Sequence, residues 1–169
     1  MIGITKKWEA SALSRHETFS AARTRDIVSA HLDLEGPLLP ILHAVQEAFG
    51  FVPEAAVPVI AEELNLSRAE VHGVVTFYHD FHRAPQGRHV LKLCQAEACQ
   101  SLGCRELTAQ AERALGVGIG ETSPDGRVTL EAIYCLGLCA TGPAAMIDGR
   151  LVGRLTPAKI DGLCAEVDR

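Results

Sequence analysis

Residues 89–104 read HVLKLCQAEACQSLGC, and residues 135–139 read CLGLC. The first stretch opens with strand-like apolar residues running into Cys94, passes through small and polar residues to Cys99, and then repeats apolar residues at Cys104, Leu107, Ala111 and Leu115. That is the grammar of a strand, a loop that offers side chains, and a helix. The second stretch closes VTLEAIYC, read as a strand ending at Cys135, and its two cysteines bracket a turn carrying Gly137. Four cysteines are thus placed at the ends of elements, where backbone N–H groups lack partners and side chains can converge.

Further along the chain, SPDGR (123–127) is a turn, and AAMIDGRLVGRL (144–155) is a hairpin whose Asp148-Gly149 pair suits a two-residue primed turn. A last helix opens with Thr156 as N-cap and Pro157 in its first turn, and buries Ile160, Leu163, Cys164 and Val167. The order is βα then ββα, or close to it, and fits a small sheet covered by helices. Upstream the period changes. Leu38, Ile41, Leu42, Val45 and Phe49 share one helical face, as do Val57, Ile60, Ala61 and Leu64, and then Val71, Val74, Val75 and Tyr78. Gly50 can close the first of these helices, and Pro53 suits the first turn of the second. Ser67 with Glu70 forms a capping box, with Leu66 and Val71 placed for a hydrophobic staple. The segment RAPQGR (83–88) separates the two grammars.

With 47% hydrophobic and 22% charged residues in 169, the chain can build its core without covalent staples. Sixteen basic against 21 acidic residues, a formal charge of −5, disfavour an extended phosphate-binding surface and hence nucleic acid. The N-terminal MIGITKKWEASALSRHE lacks the apolar run of a secretory signal, and no segment has the length of a membrane span, so a cytoplasmic protein without membrane insertion is expected. Six cysteines are too sparse for a disulfide scaffold, and a reducing compartment would keep them as thiols. Cys104 and Cys164 lie on apolar helical faces and read as core residues.

Cys94, Cys99, Cys135 and Cys139 remain. Thiolate-only sites hold zinc or an iron–sulfur cluster. Gaps of four and three residues are wider than the two-residue hooks common for zinc and tilt toward a 2Fe-2S centre, with zinc and plain thiols as the other readings. AEELNLSRAEVHGVV (61–75) also has the look of a helix-turn-helix, which with a cluster would suggest a DNA-binding regulator; from Ser67 to His82, however, Arg68 is the only Lys or Arg. His72, His79 and His82 read as polar members of an amphipathic helix rather than as a metal site, and Phe77, Tyr78 and Phe81 as packing or partner contacts.

The C-x4-C and C-x3-C pattern resembles that of the small thioredoxin-like 2Fe-2S subunits of respiratory complex I, NAD-linked hydrogenases and NAD-dependent formate dehydrogenases. LLPILHAVQEAFGFVP and VHGVVTFYHDF resemble the family's N-terminal helical region, and CLGLCATGPAAMIDG its second ligand loop. Within the family, CQAEACQSLG most resembles the gamma subunit of the soluble, molybdenum-containing formate dehydrogenase. The resemblance implies an α+β chain, with an N-terminal helical bundle over residues 1–83 and a thioredoxin-like 2Fe-2S ferredoxin domain over residues 88–169. It implies one 2Fe-2S cluster on Cys94, Cys99, Cys135 and Cys139, no catalytic residue, and a role as an electron-transfer subunit of an oxidoreductase. The implied partners are an FMN- and NAD-binding iron–sulfur subunit and a larger molybdenum-containing catalytic subunit, which would carry the FMN and molybdenum cofactor. The chain departs from the family in having Gly142, where Ala is frequent, before Pro143. That bond is cis in many thioredoxin-like domains, and the sequence leaves its isomer open here.

Overall fold

A computed structural model of the chain describes residues 16–167, so most of the N-terminal stretch read above for a signal lies outside the described residues. The chain forms two compact units that divide between Pro85 and Gln86.

The first unit contains α1 (Ala21–Ser29), α2 (Leu38–Phe49), α3 (Ala56–Glu63) and α4 (Arg68–Phe77). Ile41, Leu42, Val45 and Phe49 of α2, Val57, Ile60 and Ala61 of α3, and Val71 and Val75 of α4 join Ile27 and Val28 of α1 in one core. Burying these stripes holds the helices, each too short to persist alone in water. Gly50 closes α2 in the left-handed region at φ 78°. The capping box is complete: the Ser67 hydroxyl accepts from the Glu70 N–H, and the Glu70 carboxylate accepts from the Ser67 N–H. Two expectations need adjusting. Pro53 precedes the helix and forms a turn whose carbonyl accepts the Ala56 N–H at 2.9 Å. Helix α4 stops at Phe77, so Tyr78 is an exposed cap, and His79 and His82 lie beyond the helix that carries His72.

The second unit contains β1 (His89–Cys94), α5 (Glu97–Gln100), α6 (Cys104–Leu115), β2 (Glu121–Thr122), β3 (Val128–Ile133), β4 (Ala145–Ile147), β5 (Arg150–Val152) and α7 (Pro157–Val167). The sheet order is β2-β3-β1-β4-β5, with β1 and β3 parallel and the other neighbours antiparallel. Leu107, Ala111 and Leu115 of α6 and Ile160, Leu163 and Val167 of α7 pack with Leu91, Leu93, Val128, Leu130, Ala145 and Ile147 of the sheet. This is the mixed α+β architecture expected.

A parallel pair needs a crossover of a dozen or more residues, and here α5 and α6 supply it. Because Cys94 lies opposite Ile133 in the register, the chain leaves β1 and β3 at the same end of the sheet. The hairpin turn has both Asp148 (φ 48°) and Gly149 (φ 83°) in the left-handed region, as a primed turn requires. The Asp148 carboxylate accepts the Val90 N–H at 2.8 Å, fastening the hairpin tip to β1. The Thr156 hydroxyl caps α7 by accepting from the Lys159 N–H. The strand before Cys135 is shorter than expected, ending at Ile133 and leaving Tyr134 75% exposed. Among the described residues no helix is long and apolar enough to cross a membrane.

Candidate metal centre

The two loops beyond the parallel strands carry the four cysteines. Cys94 ends β1, Cys99 sits within the single turn of α5 rather than ahead of a helix, Cys135 follows β3, and Cys139 opens a 3-10 turn over Cys139–Thr141. Backbone bonds tie the loops together. The Cys94 N–H donates to the Ala144 carbonyl at 3.0 Å, and the Gln95 N–H to the Ile133 carbonyl at 2.8 Å. From behind, the Arg154 N–H donates to the Thr141 carbonyl at 2.6 Å and the Leu155 N–H to the Pro143 carbonyl at 3.0 Å. Gly153 allows this approach, since a Cβ there would lie 2.9 Å from the Thr141 oxygen. The Gly142–Pro143 bond is cis.

The thiols stand as two pairs. Cys94 and Cys99 are buried in one cluster, whereas Cys135 and Cys139 are exposed with sulfurs 4.0 Å apart. Burial pushes the Cys94 thiol up, but the N–H of Ala96, the Cys99 thiol and the N–H groups of Cys135 and Leu136 hold it below the ordinary cysteine value. These last two amides belong to the second loop, so the first pair faces the second. Cys99 is pushed up to about 11, by burial first and then by the neighbouring Cys94 thiol, while the Ala144 N–H acts in the other direction. Cys139 is raised chiefly by Cys135 beside it and also feels Cys94. The Gly137 N–H donates to the Cys135 sulfur at 3.4 Å.

Four sulfurs from two facing loops, with amides of Ala96, Cys135, Leu136, Gly137 and Ala144 directed at them, suit a group that carries negative charge on bridging and thiolate sulfur. The donor set fits a 2Fe-2S cluster: all-thiolate, paired two by two, and fringed by Ala96, Ala144, Leu136 and Leu138 rather than by charged side chains. Among the described residues no three His, Cys, Asp or Glu side chains are drawn together as a site for a single ion, and His72 and His79 form no such group.

The two cysteines read as core are both buried, in different places. Cys164 packs in the sheet core with Leu163 and Ile160. Cys104 opens α6 and packs instead with Cys94, Cys99 and Ala144. The amides and Ala144 escape a reading of the sequence because a backbone donor has no letter of its own. Thr108 escapes it too, although a buried polar residue four positions after Cys104 on an apolar helical face is a readable signal.

The model of the thioredoxin-like 2Fe-2S ferredoxin family matches residues 24–168. The chain belongs to that family. Its cofactor is accordingly a 2Fe-2S cluster. This ferredoxin is 40% identical to one of the subunits that make up the NADH-quinone oxidoreductase of Pseudomonas aeruginosa, over 69% of the chain and 70% of the relative. It is 32% identical to the HndA component of the NADP-reducing hydrogenase of Solidesulfovibrio fructosivorans, over 78% of the chain and 77% of the relative. The crystal structure of an NAD+-reducing NiFe-hydrogenase in the H2-reduced state superposes with a TM-score of 0.66 at 26% identity, covering 78% of this chain. The ferredoxin spans only 22% of that hydrogenase chain, so the match speaks for one module of it.

Proposed function

We propose that this ferredoxin is the electron-transfer subunit of a cytoplasmic NAD-dependent formate dehydrogenase, passing electrons to or from an FMN- and NAD-binding iron–sulfur subunit. The observation that carries the electron-transfer reading is that the loops bearing Cys94, Cys99, Cys135 and Cys139 leave one end of a parallel strand pair, in a family defined by a 2Fe-2S ferredoxin. We assign the sulfur ligands to these four. NADH- and NADP-linked complexes among the relatives support an NAD-linked assembly. The lean to formate rests on CQAEACQSLG, and it adds a larger molybdenum-containing subunit that oxidises formate. For the whole assembly the reaction is formate + NAD+ ⇌ CO2 + NADH.

When bound, a 2Fe-2S cluster takes up and returns a single electron, which is what links one-electron carriers to the two-electron hydride chemistry of a flavin. The chain's own residues make that workable. The Ala96, Leu136 and Gly137 amides offset negative charge on sulfur, burial of Cys94 and Cys99 keeps water from one pair, and exposure of Cys135 and Cys139 leaves the other side open to a partner. No acid, base or nucleophile is required of this subunit.

A second reading, the equivalent subunit of NADH:quinone oxidoreductase, is favoured by the 40% identity to the Pseudomonas aeruginosa relative. An NAD-linked hydrogenase subunit is its counterpart on the hydrogenase side. The native complex, isolated through a tag on this chain and assayed for flavin, molybdenum and nickel, separates them. Molybdenum with formate-dependent NAD+ reduction is the expected result. Quinone reduction by NADH, or nickel with hydrogen uptake, would move the chain to one of the other assemblies.

A further inference from the structure

Gln95, the residue after Cys94, has all four of its hydrogen-bonding groups engaged. Its N–H donates to the Ile133 carbonyl at 2.8 Å, and its carbonyl accepts from Gln100 Nε2 at 2.7 Å. Its side-chain Nε2 donates to Thr108 Oγ1 at 2.8 Å, and its Oε1 accepts from Cys104 Sγ at 3.7 Å. The Thr108 hydroxyl commits its one hydrogen to the Cys104 carbonyl at 2.8 Å, so toward Gln95 it can only accept. That requirement fixes which end of the Gln95 amide is nitrogen and turns its oxygen to the Cys104 thiol. Thr108 and Cys104 are both buried, so losing either partner leaves a polar group stranded away from water. Arg105 closes the outer edge by donating to Gln100 Oε1 at 2.6 Å.

The side-chain bonds join the first ligand loop to the first turn of α6, while the Gln95 N–H prolongs the β1–β3 pairing by one bond. We infer that Gln95, locked by Thr108 and Cys104, is the bolt that holds the first ligand loop against α6, and so a positioning residue for the cluster. This rests on the four-cysteine reading. It also gives Cys104 a role beyond filling space, since a thiol is the donor that the Gln95 oxygen meets, and it accounts for a threonine on the otherwise apolar inner face of α6. The side chains bond to no ligand sulfur, so their effect reaches the cluster through the loop.

The test uses full-length, cluster-loaded protein bearing Gln95→Leu, Thr108→Val or Thr108→Ser. Leu163→Ala, in the sheet core away from the loops, serves as a control for general loss of stability. Release of iron to a chelator is timed, and the paramagnetic signal of the reduced protein is recorded. Gln95→Leu and Thr108→Val should release iron ~10-fold faster, as is usual when residues behind metal ligands are removed, with a shifted signal. Thr108→Ser, which keeps the hydroxyl, should stay close to the parent on both counts, and Leu163→Ala should leave the signal unshifted. If Gln95→Leu or Thr108→Val matches the parent in either measurement, or Thr108→Ser behaves as Thr108→Val, the inference falls. A parent protein that bears no cluster would instead overturn the ligand reading beneath it.

Discussion

Cys135 adopts φ 90° and Gly137 φ 73°, so two residues of a five-residue loop lie in the left-handed region. Only glycine enters that region at little cost, so at Cys135 the surrounding loop must offset the strain. At this scale the ligand set makes the sharpest prediction. Serine in place of Cys94, Cys99, Cys135 or Cys139 should bleach or shift the visible spectrum of the purified protein. Cys164→Ser, in the sheet core, should leave the spectrum intact and lower only the melting temperature. Gly142, where the family often has Ala, is set by its contacts. A Cβ at 142 would lie 3.0 Å from Leu102 Cδ1 and 3.6 Å from Cys99 Sγ, and Leu102 is half exposed and can swing aside. Gly142→Ala should therefore keep its full absorbance per protein; loss of more than half would mean that the second loop is tighter than its contacts imply. The four cysteines were legible from spacing because their separation is written in the chain. The amides that receive charge at their sulfurs were not, since every residue has one and only the fold aims it.

Elements were legible where one face is buried and caps are explicit. Helices α2, α3 and α4 declared themselves through period and through Ser67, Glu70 and Gly50. Helix α1 was harder to isolate because it buries only Thr24, Ile27 and Val28, too few to mark a stripe. Strand β2, two residues long, is too short to show alternation, and β3 stops before Cys135 because the loop bends to bring the Cys135 and Leu136 amides to Cys94. The capping box permits a test at this scale. Ser67→Ala should lower stability by about 1 kcal/mol, read by thermal unfolding of the full chain. The Glu70 carboxyl is held below its ordinary value, first by the Ser67 N–H and then by its hydroxyl. Because the folded value is the lower one, the contribution is complete above the ordinary carboxylate range and fades as pH falls through the folded value. The melting curves of wild type and Glu70→Ala should thus differ near neutral pH and converge in acid. A constant gap across that range would show that the carboxylate is not the stabilising group.

For the whole molecule, the fold class came from the switch between helical and alternating periods. The pairing of β1 with β3, which places both loops at one end of the sheet, follows only from topology. The helical unit carries a separate clue. Phe77 is 72% exposed, stacks edge to face on Tyr78 at 5.1 Å between ring centres, and borders a shallow apolar depression with Leu38, Leu66 and Val74. Exposed aromatics of this kind serve as interface anchors. With the flavin-binding subunit proposed above docked there, hydrogen exchange across residues 71–81 should slow in the complex, and unchanged exchange would place docking elsewhere. Protein purified and kept without air should be coloured, contain two irons per chain by the chemistry of a 2Fe-2S group, and give a paramagnetic signal after one-electron reduction. Colourless protein that binds zinc and stays silent on reduction would contradict the electron-transfer reading.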